Sequence, residues 1–360
     1  MGQIPICRGI VCRFHKTIHR SFFMRSLHIF IILIFLAGLN SNHALAQCRM
    51  RHYEPEIKWN AYTQVRGFYS DKAEGFEIRR TKFWIKGDTP LDGLSFKVQT
   101  LFRWGNVGQL VLQDVFLEYN TGPITFKAGQ FVPKFSLEWS QPDAYLPISE
   151  RAKVVDALIP ASQTLGRDIG VETRFSPGNG WFKTWLGIYN GKGFNYRPKT
   201  DRDYMFTNRT LLTFSIGGLQ IHAGGSTAYR KTTGAVFNRI SGQNQLFAGI
   251  DRRFGLELRL KAGNWHLQTE YIKARLGNDE SKGWYVLSDY DINPKNNIAL
   301  SMEQYSDLLA STIDKPWYTV VWSHYFNEHN FKLVFDNRIQ TDHGKTYYKS
   351  VLQLQLFFNS

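Results

Sequence analysis

The sequence predicts an all-β fold: a transmembrane antiparallel β-barrel of about 16 strands with a constriction loop folded inward. From Ile57 onward, apolar and polar residues alternate with a period of two, which is the period of a strand. Gly, Asn, Asp and Pro separate the alternating runs, as turns require. The chain also has 27 Phe, 17 Tyr and 10 Trp beside 30 Gly, a composition typical of strands, turns and aromatic membrane interfaces.

The amino-terminal segment 1–46 is predicted to be a secretory signal peptide. The apolar run Ile29–Leu39 follows Arg25, and the small residues Ala44-Leu45-Ala46 supply a cleavage site. This run is too short to span a bilayer, which takes about 20 residues. Met24 would open a signal peptide of ordinary length and is a candidate start residue. Residues 47–56 form a short lead, and residues 57–360 form the predicted barrel.

Charge and cysteine usage narrow the partners that the chain is expected to have. The formal net charge is +14, and the predicted signal peptide accounts for five basic and no acidic residues. The remaining chain has 39 basic and 30 acidic residues, and its positive charge forms no block typical of nucleic-acid binding. Cys7, Cys12 and Cys48 all precede the barrel, so we expect neither a disulfide framework nor a metal or cofactor site.

Sixteen strands can be placed along the barrel region. Because unpaired backbone groups in lipid cost several kcal/mol each, such a sheet must close on itself. At sixteen strands the lumen is too wide for side chains to fill, which predicts a pore. A soluble propeller or solenoid is the alternative, but no repeat of fixed period is visible. The predicted strands are 57–70, 76–88, 94–104, 110–120, 123–130, 168–176, 181–190, 205–216, 218–230, 246–260, 264–274, 281–290, 297–306, 315–326, 329–340 and 346–358.

Strand parity assigns the polar residues of each strand to the lumen. By this rule fourteen basic and seven acidic residues face inward, which predicts a pore for small anions. The alternative is that these wall charges simply pair with each other. Parity directs Arg79 toward lipid or the membrane interface. The basic residues that we select as the anion path are Arg66, Arg80, Lys82, Lys97, Arg103, Lys127 and Arg174 on strands, with Arg151 and Arg167 in or beside the longest loop.

That longest loop is the irregular stretch 131–166. Loops beyond about 15 residues in a compact domain are usually functional. It carries Lys134, Arg151 and Lys153, with Trp139 and several prolines to stiffen it. We expect it to fold into the lumen and narrow the pore, whereas a cap over the outside of the barrel is the competing interpretation.

A series of short motifs resembles the phosphate-selective porin O and P family. They are Phe76–Lys86 (FEIRRTKFWIK), Leu94–Gln99 (LSFKVQ), Leu112–Tyr119 (LQDVFLEY), Gly129–Pro133 (GQFVP), Phe135–Glu138 (FSLE), Glu150-Arg151, Gly166–Val171 (GRDIGV) and Tyr189–Gly193 (YNGKG). The resemblance is clear over about residues 57–195 and diffuse beyond. The order and spacing of the motifs make the set specific, although each motif alone is weak.

The resemblance implies a sixteen-stranded trimeric porin of the Gram-negative outer membrane, with an inward third loop and arginines along an anion path. Its partners would be small anions, with phosphate as a candidate, membrane lipid and two further copies of the chain. The basic residues within matched motifs are Arg79, Arg80, Lys97, Arg151 and Arg167.

Two other functions remain open at the level of sequence. A structural or adhesive barrel without an open pore would use the loop 131–166 as an external binding surface. A barrel enzyme would need a nucleophile or activated water beside a histidine and a carboxylate. The histidines are scattered, and the chain has neither an H-E-x-x-H nor a G-x-S-x-G motif, so we expect no enzymatic activity.

Overall fold

The structure is a computed structural model, and it describes residues 56–103, 108–195, 203–237, 240, 246–308 and 315–359. The predicted signal peptide and residues 47–55 of the lead lie outside this part of the chain. Among the described residues, none of the helices has both the length and the apolar character needed to traverse a bilayer.

The sheet is a closed antiparallel barrel in which each strand pairs with its neighbours in sequence. β1 pairs with β16, for example through Gln64 and Gln355, so the sheet has no free edge. The prediction of a closed sixteen-stranded barrel is therefore confirmed. The strands are β1 (Ile57–Ser70), β2 (Glu74–Asp88), β3 (Leu94–Arg103), β4 (Gln109–Asn120), β5 (Ile124–Phe131), β6 (Asp168–Phe175), β7 (Phe182–Tyr189), β8 (Met205–Ile216), β9 (Leu219–Val236), β10 (Leu246–Ala262), β11 (Trp265–Leu276), β12 (Asp279–Asn293), β13 (Asn296–Ser306), β14 (Trp317–Asn327), β15 (Phe331–Asp342) and β16 (Lys345–Asn359).

The strand boundaries differ from the predicted ones mainly in β9, which continues to Val236 instead of ending at Arg230. The run from Lys231 to Gly234 reads as a turn because it is polar and ends in glycine. In the structure Lys231 and Thr232 pair with Ile250 and Gly249 of β10, so tertiary pairing keeps this stretch extended.

The two faces of the barrel differ in polarity. Leu256, Val320 and Leu352 are each about half exposed and point outward, whereas Asp336 and Gln355 are fully buried on the inner face. The two environments alternate along each strand, because successive side chains point to opposite faces of the sheet. The result is an apolar outer belt around a polar interior, which suits a barrel surrounded by lipid.

The connection between β5 and β6, residues 132–167, is called the long loop below. It contains two short helices, α1 (Leu137–Ser140) and α2 (Lys153–Leu158), and two 3-10 turns at Asp143–Tyr145 and Ser162–Thr164. Ser136 caps α1 by accepting a hydrogen bond from the Trp139 backbone N–H. Apolar residues of α2 are fully buried and belong to a cluster that includes Ile272, Tyr285 and Ala299 on the inner face of β11–β13.

A β-bulge in β2 changes which of its residues face inward. Gln64 pairs with Arg80 and Val65 pairs with Ile78, so Arg79 has no partner on β1. A bulge inserts one extra residue and bends the strand locally. Arg79 and Arg80 consequently both reach the interior, and the prediction that Arg79 faces lipid or the membrane interface is wrong.

Candidate functional site

A cavity of about 950 Å³ lies between the long loop and the strands β1–β5 and β13–β16. β2 lines one side with Arg79, Arg80 and Lys82, and the long loop lines the other with Asp143 and Arg151. Alternation places every second residue of β2 on this surface, and the bulge adds Arg79. The described basic residues of the lining are Arg79, Arg80, Lys82, Lys86, Lys97, Lys127, Lys134, Arg151, Lys153, Arg167, Arg338 and Lys349, and the acidic ones are Asp114, Asp143, Glu150, Asp156 and Glu303.

Asp143 of the long loop is the centre of the first charge cluster. Its Oδ2 lies 2.6 Å from Nη1 of Arg80 and 2.5 Å from Nζ of Lys82, and its Oδ1 accepts a hydrogen bond of 2.8 Å from Nη2 of Arg151. Tyr62 also donates its hydroxyl to Oδ2 at 3.3 Å. Burial alone would raise the pKa of Asp143, but Arg80, Lys82 and Arg151 together hold that pKa well below its ordinary value. The carboxylate is therefore ionised and is outnumbered by cations.

Glu150 of the long loop is the centre of the second cluster. Arg66 forms ion pairs with both Glu150 and Glu77, and Arg79 Nη2 lies 2.7 Å from Glu150 Oε2. Lys349 Nζ lies farther away, at 3.7 Å. Burial favours the neutral acid, but the charges of Arg79, Arg66 and Lys349 keep the pKa of Glu150 well below its ordinary value. Three cations again surround one carboxylate.

The third cluster joins β3, β4 and the end of the long loop. Asp114 Oδ2 lies 3.2 Å from Lys97 Nζ, and its Oδ1 accepts a hydrogen bond of 3.0 Å from Arg167 Nε. Beside it, Lys127 Nζ pairs with Glu118 at 2.7 Å and lies 4.5 Å from the ring centre of Phe116. Taken together, these ion pairs contain nine cations and five carboxylates, so they leave an excess of positive charge.

Hydrogen bonds tie the long loop to the inner face of distant strands. On β11, Glu270 accepts hydrogen bonds from the backbone N–H groups of Leu137 and Glu138, at 2.9 and 2.7 Å. On β15, Lys332 Nζ donates to the carbonyl oxygen of Leu146 at 3.0 Å. On β10, Arg253 Nη1 donates to the carbonyl oxygen of Leu158 at 2.9 Å. These contacts bridge residues 95 to 186 positions apart in sequence, so they fix the loop against the far wall.

Two loop residues have ionisation equilibria near neutral pH. Burial raises the pKa of Glu138 to about 8, against the opposing charge of Arg151. Its Oε2 accepts a hydrogen bond of 3.1 Å from the Ala152 backbone N–H. Burial also lowers the pKa of Lys134 to about 8, although Glu172 favours the charged form. The pKa values of both side chains therefore lie close to neutral pH.

The residues selected from sequence fall into three groups. Arg80, Lys82, Lys97, Lys127, Arg151 and Arg167 line the cavity. Arg66 lies behind it in its ion pairs with Glu77 and Glu150, and Arg174 lies outside the lining, where its Nη2 donates to Thr125 Oγ1 at 2.7 Å. Arg103 ends β3, and its side chain lies outside the described part of the structure.

The sequence-based selection omitted other cavity residues. Arg338 lies on an alternating strand, and parity predicted its inward position although it was not selected for the anion path. The sequence gives weaker indications for three lysines. Lys349 lies in a segment of β16 with little alternation, and Lys134 and Lys153 lie in the irregular long loop. Asp143 carries no signal in the sequence, and Glu150 appears only as part of the Glu150-Arg151 motif, because only the folded loop brings these acids against β2.

The architecture and the wet, charged interior define the class of protein: a general outer-membrane diffusion barrel of sixteen strands. A model of the family "Phosphate-selective porin O and P" matches residues 56–300, which is more than half of the chain. The chain belongs to this family, as the sequence motifs suggested. It is a passive diffusion channel of the Gram-negative outer membrane, which confirms the expected localisation.

Solved structures share this fold at low sequence identity. OmpF of Salmonella typhi in complex with daunomycin is 12% identical, with a TM-score of 0.62 over 84% of this chain and 97% of that chain. The outer-membrane channel DcaP of Acinetobacter baumannii is 12% identical, with a TM-score of 0.59 over 86% and 99%. The trimer form of OmpT of Vibrio cholerae is 13% identical, with a TM-score of 0.57 over 85% and 100%. A sequence search of curated proteins gave no significant match.

Proposed function

We propose that this porin prefers small anions, phosphate among them. The observation that carries the proposal is the cavity lining, which has twelve basic and five acidic side chains among the described residues. Basic walls lower the cost of entry for anions and raise it for cations. A narrow passage between low-dielectric walls strengthens this effect, because the field of the charges is focused there.

The ion pairs in the cavity leave this positive field in place. Asp143 and Glu150 each contact three cations, and the low pKa of each carboxyl group keeps these pairs charged at neutral pH. A lumen whose charges cancelled would need equal numbers of the two signs. The excess of basic residues therefore favours anion permeation over a wall of balanced pairs.

We further propose that the long loop folds into the lumen and forms the constriction. Arg151 of the loop and Arg80 of β2 contact the two different oxygens of Asp143, so both guanidinium groups lie beside the same carboxylate. Arginine forks can bind two phosphate oxygens at once, and several donors converging on one point are what a phosphate site requires. Lys82 and Arg79 extend the same basic surface.

The test is the reversal potential of the purified barrel in a planar bilayer under a KCl gradient, repeated with phosphate added. We expect a reversal potential whose sign shows that chloride permeates better than potassium. We also expect millimolar phosphate to reduce the chloride current. Cation selectivity would contradict the anion proposal. Anion selectivity without any effect of phosphate would support the proposed anion path but would contradict phosphate as a preferred solute.

We also propose that the porin assembles as a homotrimer in outer-membrane lipid. The related OmpT structure of Vibrio cholerae is described as a trimer form, and the apolar outer belt of this barrel is suited to contacts with lipid and with further copies. Native mass spectrometry of the detergent-solubilised barrel tests the proposal. A monomer at all protein concentrations would contradict it.

We propose that the porin has no enzymatic activity. Among the described residues, no group of three His, Cys, Asp or Glu side chains could hold a metal ion. The porin family and the absence of a catalytic motif in the sequence support the same proposal. Turnover of lipid ester or peptide substrates by the purified barrel, above that of a heat-unfolded sample, would contradict it.

A further inference from the structure

A group of basic side chains lies on the outward face of β9–β12, away from the cavity. Lys231, Arg252, Arg275 and Lys282 are exposed, and Lys273 is partly exposed. These five residues are called the outer basic cluster. Their parity places them on the same face as the exposed Phe254 and Leu256, which belong to the lipid-facing belt.

The strand register brings these cations together. Arg252 lies directly opposite Arg275, and Lys273 lies directly opposite Lys282. Lys231 pairs with Ile250, two positions from Arg252 on the same face. Directly opposite side chains are about 4.5–5.5 Å apart between Cβ atoms, and like charges at that distance destabilise a sheet. Two such pairs side by side concentrate positive charge on the outward face of β10–β12.

One acidic residue lies within this cluster. Glu280 on β12 contacts Lys273 at 2.7 Å, Arg275 at 3.1 Å and Lys282 at 3.3 Å. A single carboxylate shared by three cations leaves most of their charge uncompensated. Arg252 and Lys231 form no ion pair with any residue in the described ranges. The cluster therefore carries five positive charges and one negative charge.

Aromatic and apolar residues continue from the cluster toward the middle of the barrel. Phe254 lies opposite Lys273, and Tyr271 lies opposite both Leu256 and Trp284. Phe254 and Leu256 are exposed. The outward face thus changes along the strands from basic to aromatic to aliphatic. This order matches a lipid with an anionic headgroup and acyl chains.

The cluster lies at the extracellular end of the barrel. Connections that follow odd-numbered strands share one end, and they include residues 132–167, 190–204 and 237–245. The opposite end has short connections, such as residues 217–218 and 263–264. Long connections are extracellular and short ones periplasmic in outer-membrane barrels. The basic side chains therefore lie at the level of the outer-leaflet headgroups.

Outward residues near the same end of other strands include Tyr318 on β14, Ile339 on β15 and Tyr69 on β1, which are uncharged. The exposed residue opposite Tyr69 on β2 is an acid, Glu74. The like-charge pairs Arg252–Arg275 and Lys273–Lys282 lie on β10–β12, which indicates a binding site of limited extent.

We propose that the outer basic cluster binds the phosphate groups of a phosphorylated glycolipid in the outer leaflet. Arg and Lys donate charge-assisted hydrogen bonds to the phosphate oxygens. The acyl chains of the same lipid lie along Phe254, Leu256 and Val286. This binding is separate from the anion path, since the two sets of residues are on opposite faces of the sheet.

Native mass spectrometry of the purified barrel in detergent, titrated with phosphorylated lipid A, tests this proposal. The same lipid A with its phosphates removed, and inorganic phosphate alone, are the two comparison ligands. Basic residues near a membrane surface contribute about 1 kcal/mol each toward anionic lipids, so Arg252→Gln/Arg275→Gln should weaken lipid A binding about 30-fold. Binding of the dephosphorylated lipid should be weak in both proteins.

Lys72→Gln/Lys345→Gln is the matched control. Both lysines are exposed at the same end of the barrel, beside β1 and β16, and the variant loses the same two charges. We expect wild-type affinity for lipid A in this variant, and an unchanged single-channel conductance in Arg252→Gln/Arg275→Gln. Heat-dependent migration on a gel verifies that each variant is folded.

Three results would overturn the proposal. The first is an equal loss of affinity in the two double variants, which would show a general effect of net charge. The second is binding that does not depend on the lipid phosphates, or that inorganic phosphate reproduces alone. The third is a changed oligomeric state in Arg252→Gln/Arg275→Gln, which would identify the cluster as a contact between copies of the chain.

Discussion

Ser149 donates two hydrogen bonds to the same oxygen of Asp336: its backbone N–H lies 3.0 Å and its Oγ 2.7 Å from Oδ2. This contact joins the long loop to β15 across 187 residues of sequence. Asp336 is fully buried and is also bonded by Arg338, whose Nε lies 3.0 Å from Oδ1. The loop is thus attached to a rigid strand through a charged acceptor.

Replacing that acceptor should loosen the loop. Asp336→Asn keeps the shape of the side chain but removes the charge, and hydrogen bonds to charged groups contribute about 1.5–3 kcal/mol against about 1 kcal/mol for neutral ones. We expect a larger and noisier single-channel conductance in planar bilayers. The neighbouring Asn337→Ala is the control, because Asn337 faces the other side and bonds Ser350. Equal noise in the two variants would contradict the conclusion that Asp336 holds the long loop in place.

Removing the cations around Asp114 should reduce anion preference. In Lys97→Gln/Arg167→Gln the cavity loses two positive charges and the charge of Asp114 is left uncompensated. A charge about 8 Å from a permeating ion contributes about 0.5 kcal/mol in water-like surroundings, and it acts with opposite sign on chloride and potassium, so two charges change the chloride-to-potassium permeability ratio about 30-fold. The measurement is the reversal potential under a KCl gradient.

Arg174→Gln is the comparison for that experiment. Arg174 was selected from sequence for the anion path, yet it bonds Thr125 and lies outside the cavity lining. We expect a reversal potential within error of the wild type. A shift as large as that of the double variant would mean that the anion path extends beyond the cavity.

Glu138 should make the stability of the barrel depend on pH. Its pKa is raised to about 8 in the folded protein, so folding takes up a proton between the ordinary carboxyl pKa and 8. The stabilisation is complete at low pH and is lost as the pH rises toward 8. The Tm in detergent should therefore fall between about pH 5 and pH 8, and Glu138→Gln should flatten this slope.

Lys134 should contribute with the opposite sign. Its pKa is lowered to about 8, so folding releases a proton between pH 8 and the ordinary lysine pKa. This contribution to stability is present at high pH and is lost as the pH falls through 8. Lys134→Met should flatten the Tm profile above about pH 8 only. A Lys134→Met profile identical to that of Glu138→Gln would contradict the assignment of the two slopes.

Gly170 should be essential for packing at the start of β6. A Cβ atom at this position would lie 2.2 Å from the carbonyl oxygen of Ile188 and 2.8 Å from Cα of Tyr189, both backbone atoms of β7 that cannot move aside. Overpacking of this kind costs about 1–3 kcal/mol. Gly170→Ala should lower the Tm, whereas Gly225→Ala on β9, whose nearest atom would be 3.5 Å away, should not. Similar Tm values for the two variants would contradict the packing argument.

The period of two in the sequence was sufficient to predict the sixteen strands, their order and the inward position of Arg80, Lys82 and Lys97. This works because each strand alternates between lipid and water, so a local pattern reports a local environment. The same logic failed at Arg79, where the bulge adds a residue that no local pattern reveals.

Only the tertiary structure decided which charges meet. Asp143 and Glu150 lie in an irregular loop, and their cationic partners lie on β1, β2 and β16 and elsewhere in the loop itself. Strand periodicity carries no information about such contacts, because they depend on how the loop is placed against the closed sheet. The grouping of Arg252, Lys273, Arg275 and Lys282 has the same origin, since register between strands is set by the pairing of the whole barrel.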